Sequence, residues 1–316
     1  FIVFSRGCIF LFKSCIIPSS LFISFFNFVL TFSVLLWYNT NKPTEFMRKE
    51  ALNMNNTIVR IESIEIRNFK NVGYGHLDFE PSKKDCNASI LGLYGQNGSG
   101  KTALIDALEL LRLSLSGRPI PAHYADYINV DSEYARLKYG LKISNQQANS
   151  EYSAFYEVNL RREIDQNEHN TEQPLINESY KAVLFNEVLS CSYKRDDEKV
   201  RLSPIIDTRT SDDVVFLPAA KYQSIIGKNK DTATNLLVAK QLAYATSRSF
   251  IFSRELLNAI RKNCTEDWLR SLVENLVFFG NFQLFVINTT NTGLISMNAL
   301  PLAFNYAEKE KSAIGN

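Results

Sequence analysis

The eight residues Gly95-Gln96-Asn97-Gly98-Ser99-Gly100-Lys101-Thr102 constrain the fold of this chain more than any other stretch. They fit the spacing G-x-x-x-x-G-K-[ST], and their flanks are those the spacing requires. Before them, Ala88 to Tyr94 is a short apolar run that reads as a buried strand. After them, Leu104, Ala107, Leu108 and Leu111 recur on one face of a helical repeat. Strand, glycine loop and helix together describe a loop built to hold phosphate. Gly95, Gly98 and Gly100 open backbone conformations closed to other residues. Successive N–H groups can then face inward as an anion nest, and the new helix adds its unpaired N–H groups and positive dipole end. Lys101 supplies a cation for β- and γ-phosphates, and the Thr102 hydroxyl is placed to ligate Mg²⁺. The site residues expected from the sequence are therefore Gly95 to Thr102, with ATP and Mg²⁺ as ligands.

Charge and cysteine usage add few constraints. The net charge is +2, and removing residues 1–46, with Arg6, Lys13 and Lys42 against Glu45, leaves a balanced remainder. Nothing here demands a polyanionic partner. Cys8, Cys15, Cys86, Cys191 and Cys264 show no metal-ligand or redox spacing, the pattern of a reduced, cytoplasmic protein. His76, His123 and His169 lie far apart and read as surface or loop residues.

Residues 1–46 form a segment of their own. No charge falls between Ser14 and Asn41, which is long enough for a transmembrane helix with Trp37-Tyr38 at an interface. On that reading the protein is membrane-anchored. The favoured reading is a translated upstream region, with the membrane anchor as the alternative: the chain begins at Phe1, and ten of its 22 phenylalanines fall in these 46 residues. Met47 and Met54 then open a segment of ordinary globular composition.

Beyond Met47, Val59 to Phe69 reads as a strand whose alternation slips near Ser63, as at a bulge. Asn71 to Gly75 reads as a turn, and His76 to Phe79 as a second strand pairing with the first. The loop helix runs to Leu115, where Ser116-Gly117-Arg118-Pro119 stops it. Strands follow at Ala135–Ile143, Tyr152–Arg161 and Ala182–Tyr193, separated by polar linkers. Past Pro218 the pattern turns helical: Ala233 to Tyr244, a helix capped by Ser253, and one capped by Thr265 that runs to Phe279. A hairpin is expected around Asn291-Thr292-Gly293.

A strand ending Arg67-Asn68-Phe69-Lys70-Asn71, a second ending Leu77-Asp78-Phe79, then G-x-N-G-S-G-K-T and a helix starting Ala103-Leu104-Ile105-Asp106 resemble the ABC-type ATPase heads of the SMC, RecF and OLD families, often described as AAA-family ATPases. The resemblance implies an α/β P-loop NTPase fold with an antiparallel β-subdomain and a helical insertion. It divides the chain into residues 1–46, an ATPase lobe at 47–220 and a helical region at 221–316. It also implies that Asn68 and Lys70 lie near bound nucleotide, although the same residues suit an ordinary strand-ending turn. Such heads pair as homodimers over two ATP molecules, and some contact DNA.

Hydrolysis in such heads also needs a Walker B strand and a signature sequence. Val183-Leu184-Phe185-Asn186-Glu187 has the Walker B shape, but Asn186 stands where the metal-binding aspartate belongs. Leu284-Phe285-Val286-Ile287-Asn288 is followed by no acid. Leu115-Ser116-Gly117-Arg118 resembles a signature fragment, too early in the chain. The expectation is an amino-terminal part of such a head, its second half missing, that binds Mg-ATP. Hydrolysis would then belong to the intact, dimerised form. A nucleotide-binding switch that never hydrolyses is the alternative.

Overall fold

The computed structural model describes residues 2–5, 8–13, 57–79, 88–145, 150–165, 179–195, 198–211, 213–227 and 230–288. The expected span at 14–41 and the second strand of the expected hairpin at 294–298 lie outside these. Among the described residues no helix is long and apolar enough to cross a membrane.

Two sheets and one central helix organise the molecule. The larger sheet is antiparallel, in the order β4-β3-β6-β7-β8-β9. Its strands are β3 (Thr57–Phe69), β4 (Val72–Asp78), β6 (Tyr134–Asn145), β7 (Ser150–Ile164), β8 (Tyr180–Arg195) and β9 (Glu198–Asp207). In the central strands alternation puts one row against the core. In β6 this row is Ala135, Leu137, Tyr139, Leu141 and Ile143; in β7 it is Ala154, Tyr156, Val158 and Leu160. The slip read in β3 is a register shift between Ile61 and Ser63, so Ile61 and Ile64 both face inward. Gly140 makes the shift fit, because a β-carbon there would lie 2.4 Å from the Ser63 hydroxyl.

A four-stranded sheet carries the phosphate loop. It contains β1 (Ile2–Ser5), β2 (Cys8–Lys13), β5 (Ala88–Leu91) and β10 (Leu284–Asn288), in the order β10-β2-β1-β5. The first two strands form a hairpin; β1 runs antiparallel to β5, and β2 parallel to β10.

Helix α1 (Lys101–Leu115) touches both sheets, through β3 on one and through β2 and β10 on the other. Twelve of its fifteen residues are buried, the pattern of a helix enclosed on most sides. Leu108, Leu110 and Leu111 are among the largest fully buried side chains, each contributing about 2 kcal/mol through removal of apolar surface from water. The Tyr139 hydroxyl donates to the Ala107 carbonyl at 2.7 Å and pins the helix to the sheet.

Four further helices pack onto the same core: α2 (Ala219–Ile226), α3 (Lys230–Ala245), α4 (Arg254–Asn263) and α5 (Asp267–Phe278). Ser253 caps α4, its hydroxyl accepting from the Leu256 N–H, as its position before the apolar repeat predicts. Several local expectations differ from the structure. Val72 to Gly75 continues as strand rather than turn, because β4 pairs with β3 from Val72 onward. Strand β9 and helix α2 carry little sequence signature. Thr265 does not cap α5: its N–H and hydroxyl both donate to the Ser224 carbonyl, and Glu266 takes the cap position. Helix α5 ends at Phe278, and Gly280 follows it. It lies inside a wider π turn, Phe279–Gln283, where a β-carbon would stand 2.5 Å from Leu115.

Candidate functional site

Strand β5 enters the loop at Gly92 and α1 leaves it at Lys101. Gly95, Gly98 and Gly100 all have positive φ, at 152°, 85° and 85°. Two of them carry a steric reason as well. A β-carbon on Gly95 would lie 2.9 Å from the Ser99 hydroxyl, and one on Gly100 would lie 2.9 Å from Val72. Gly100 is the residue before α1, left-handed and without a side chain to cap the helix. The first turn of α1 holds no acidic residue. Its N–H groups and dipole therefore present positive potential to the loop.

Lys101 folds across this ring. Its ammonium donates to the Gly95 carbonyl at 2.8 Å, to the Gln96 carbonyl at 2.7 Å and to the Ser99 hydroxyl at 3.1 Å. The Gln96 carbonyl also accepts from the Ser99 N–H at 3.2 Å. Residues Gly95 to Ser99 and Thr102 are exposed, with Asn97 in the turn at the loop's tip. Thus all eight residues named from the sequence lie together, with a cation at the centre and the Thr102 hydroxyl on the first helical turn beside it.

Asn68, near the end of β3, and Lys70, in the turn between β3 and β4, lie next to the loop, and their roles there are specific. Both have φ of 54°, an uncommon conformation for residues with a β-carbon. The Asn68 carbonyl accepts from the Asn129 N–H at 3.0 Å. The Lys70 N–H donates to the Tyr127 carbonyl at 2.5 Å, and its ammonium lies 3.7 Å from the centre of the Tyr127 ring. That ammonium also pairs with the Asp106 carboxylate on the second turn of α1. The charge of Lys70 is therefore directed at α1 and Tyr127. The residue of this turn that touches the loop is Asn71, whose side-chain amide donates to the Gly98 carbonyl. Asn71, Asp106 and Tyr127 carry no signature in the sequence that links them, since their partners are 27 to 57 residues away along the chain.

Around this turn, Phe69, Tyr124, Tyr127 and His123 form an aromatic cluster, with ring centres 4.9 to 6.4 Å apart. Tyr124 is buried, its hydroxyl donates to the Asp106 carbonyl at 3.2 Å, and burial pushes its ionisation well above the usual phenol range. Packing is what these rings do.

Glu187 is elsewhere. In β8, Ala182 and Leu184 face the core before Asn186, and Leu189 and Cys191 face it afterwards. Asn186, at φ 52°, absorbs the change of parity, and Glu187 is carried inward. Its carboxylate accepts from the Tyr156 hydroxyl and the Phe250 N–H, each at 2.7 Å, and from the Ser249 hydroxyl. Burial raises its pKa, and the hydrogen-bond donors draw it part of the way back. The segment that meets Glu187 abuts the far end of α1, where a β-carbon on Gly117 would lie 2.7 Å from the Phe252 carbonyl oxygen. The length of α1 separates the two sites by about 20 Å at 1.5 Å per residue. Glu187 ties β7 and β8 to the chain entering α4.

A glycine loop between strand and helix, with its lysine held across the ring, defines a P-loop nucleotide-binding protein. A family model described as an AAA domain matches residues 63–263, nearly two thirds of the chain. The chain belongs to that family, whose members are P-loop ATPases. No curated protein matches it.

Proposed function

We propose that this chain binds Mg-ATP at residues 95–102 and is the nucleotide-binding part of an SMC-, RecF- or OLD-like ATPase head. The observation that carries the reading is Lys101, whose ammonium is held 2.7 to 2.8 Å from two loop carbonyls at the uncapped start of α1. The donor set suits phosphate oxygens: the Lys101 ammonium and the Ser99 hydroxyl lie together beside Gly95, where a β-carbon would press on Ser99 at 2.9 Å. Loop N–H groups and Lys101 would hold the β- and γ-phosphates, and the Thr102 hydroxyl would hold Mg²⁺. Bound Mg²⁺ supplies charge neutralisation between those two phosphates. The chain's own contribution is orientation and a fixed positive field.

A second reading concerns turnover. Within this chain alone, ATP is bound and not hydrolysed at ordinary rates, and hydrolysis belongs to a form in which two heads pair. The support is the engagement of the two acids that sequence would put forward. Asp106 is paired with Lys70, and Glu187 is buried among three donors about 20 Å away. Pairing of two heads over ATP rests on the resemblance alone. DNA contact has no support from the balanced charge.

The test is titration of fluorescent ATP beside a phosphate-release assay, each with Lys101→Ala as control. We expect saturable, Lys101-dependent binding and no Lys101-dependent release. Equal ATP affinity in the parent and Lys101→Ala proteins would remove the site. Release near one turnover per second would remove the second reading.

A further inference from the structure

We infer that the turn joining β3 to β4 holds the phosphate loop in its working shape, with Asn71 as a positioning residue. The inference rests on the nucleotide-site reading above and goes one step beyond it. Three consecutive residues, two in the turn and the first of β4, each touch the loop–helix unit at a different point. Lys70 pairs with Asp106 on α1, Asn71 donates to the Gly98 carbonyl, and Val72 closes over Gly100. The other side of the turn is hydrogen-bonded to the backbone at Tyr127 and Asn129. The turn is thus held on both flanks, and the left-handed conformations of Asn68 and Lys70 are maintained by those contacts.

The effect of Asn71 follows from peptide geometry. In a trans peptide the carbonyl and the next N–H point in opposite directions. Holding the Gly98 carbonyl outward aims the Ser99 N–H into the ring, where it meets the Gln96 carbonyl at 3.2 Å. Gly98 has no β-carbon to fix that peptide, and nothing lies within 4 Å of where one would be. The amide of Asn71 therefore supplies an orientation that the loop's own sequence leaves open. The Gly98–Ser99 peptide, and with it the Gln96–Ser99 turn that shapes the loop, depends on it, whatever base the nucleotide carries.

The test uses the 316-residue chain and competition titrations with ATP, ADP and tripolyphosphate. Asn71→Leu keeps the branched shape and removes the donor; Asn71→Ala guards against a bulkier variant that fails to fold; Asn71→His restores an N–H donor. We expect Asn71→Leu and Asn71→Ala to weaken all three ligands by the same factor, about fivefold, the size of one neutral hydrogen bond. The Tm should be unchanged, and Asn71→His should bind within about twofold of the parent protein. Parent-like affinity in the Leu and Ala variants, with binding lost in Lys101→Ala, overturns the inference and leaves the site intact. Loss confined to ATP and ADP, with tripolyphosphate unaffected, also overturns it, because Asn71 would then be reading the nucleoside. So does a fall in Tm that accounts for the lost affinity, or a failure of Asn71→His to recover it. Undiminished binding in Lys101→Ala instead removes the nucleotide-site reading itself.

Discussion

The phosphate loop and the Glu187 cluster both have the outline of a catalytic motif, and the structure treats them in opposite ways. The loop is exposed, its charge is held by backbone carbonyls, and its shape depends on glycines at positive φ. Glu187 is 3% exposed, its charge is met by three donors, and those donors come from two different parts of the chain. A site that must exchange ligands keeps its polar groups accessible and oriented by the scaffold. A buried acid with every contact filled has no partner left to exchange and acts as a tie within the core. The difference lies in what surrounds the residues rather than in their type.

The comparison breaks first at Glu187. Glu187→Ala leaves the Tyr156 and Ser249 hydroxyls and the Phe250 N–H without their acceptor and opens a void, so stability should fall by about 3 kcal/mol or more in urea unfolding. ATP affinity measured on the folded fraction should hold. A stable variant with lost ATP binding would mean that Glu187 serves the nucleotide site after all. The pH dependence sharpens this point. Burial raises the folded pKa of Glu187, so its contribution to stability is fully present below the ordinary carboxylate pKa. That contribution is lost as pH rises through the raised folded value. Glu187→Gln should flatten this part of the stability–pH profile, and an unchanged profile would place the titration elsewhere.

Next is Gly100→Ala. The left-handed φ of 85° and the contact with Val72 both oppose a β-carbon, at a cost of about 2 kcal/mol. Because the strain falls on the loop, ATP affinity should fall along with the Tm, the reverse of the Glu187 pattern. Lys101→Ala should lower ATP affinity at least tenfold, about 1.4 kcal/mol, with little change in Tm, since the side chain covers only the loop. Thr102→Ala should have the smallest effect: a few-fold loss confined to Mg²⁺-containing titrations, with metal-free binding unaltered.

Much of the fold near the loop was legible because its determinants are local. The glycine spacing and the helical repeat after it act within about ten residues, and the structure places loop and α1 accordingly, whereas the apolar run before them is strand only over Ala88–Leu91, at the sheet edge, with Tyr94 exposed rather than buried. The bulge near Ser63 could be read because β3 keeps its inward row on both sides of it. The Ser253 cap could be read because a cap and its helix are neighbours in sequence. Strand β9 and helix α2 were not legible, because β9 lies at the sheet edge with four consecutive exposed residues and α2 spans eight residues.

The sequence by itself determined the class of loop, the cation at its centre and the residues proposed to hold phosphate, since backbone freedom and charge there depend only on residue type and spacing. Tertiary structure alone decided what the neighbouring polar residues do. Asn68, Lys70 and Asn71 look alike as a strand-ending turn, yet Lys70 pairs across to Asp106 and Asn71 reaches Gly98. Glu187 ends a run of Walker B shape that lacks the metal-binding aspartate, and it is a core tie, because a bulge at Asn186 turns it inward. The physical reason is range: a hydrogen bond or ion pair is decided by which groups the packed core brings within about 3 Å of each other. For these residues the partners lie 27 to 63 positions away along the chain.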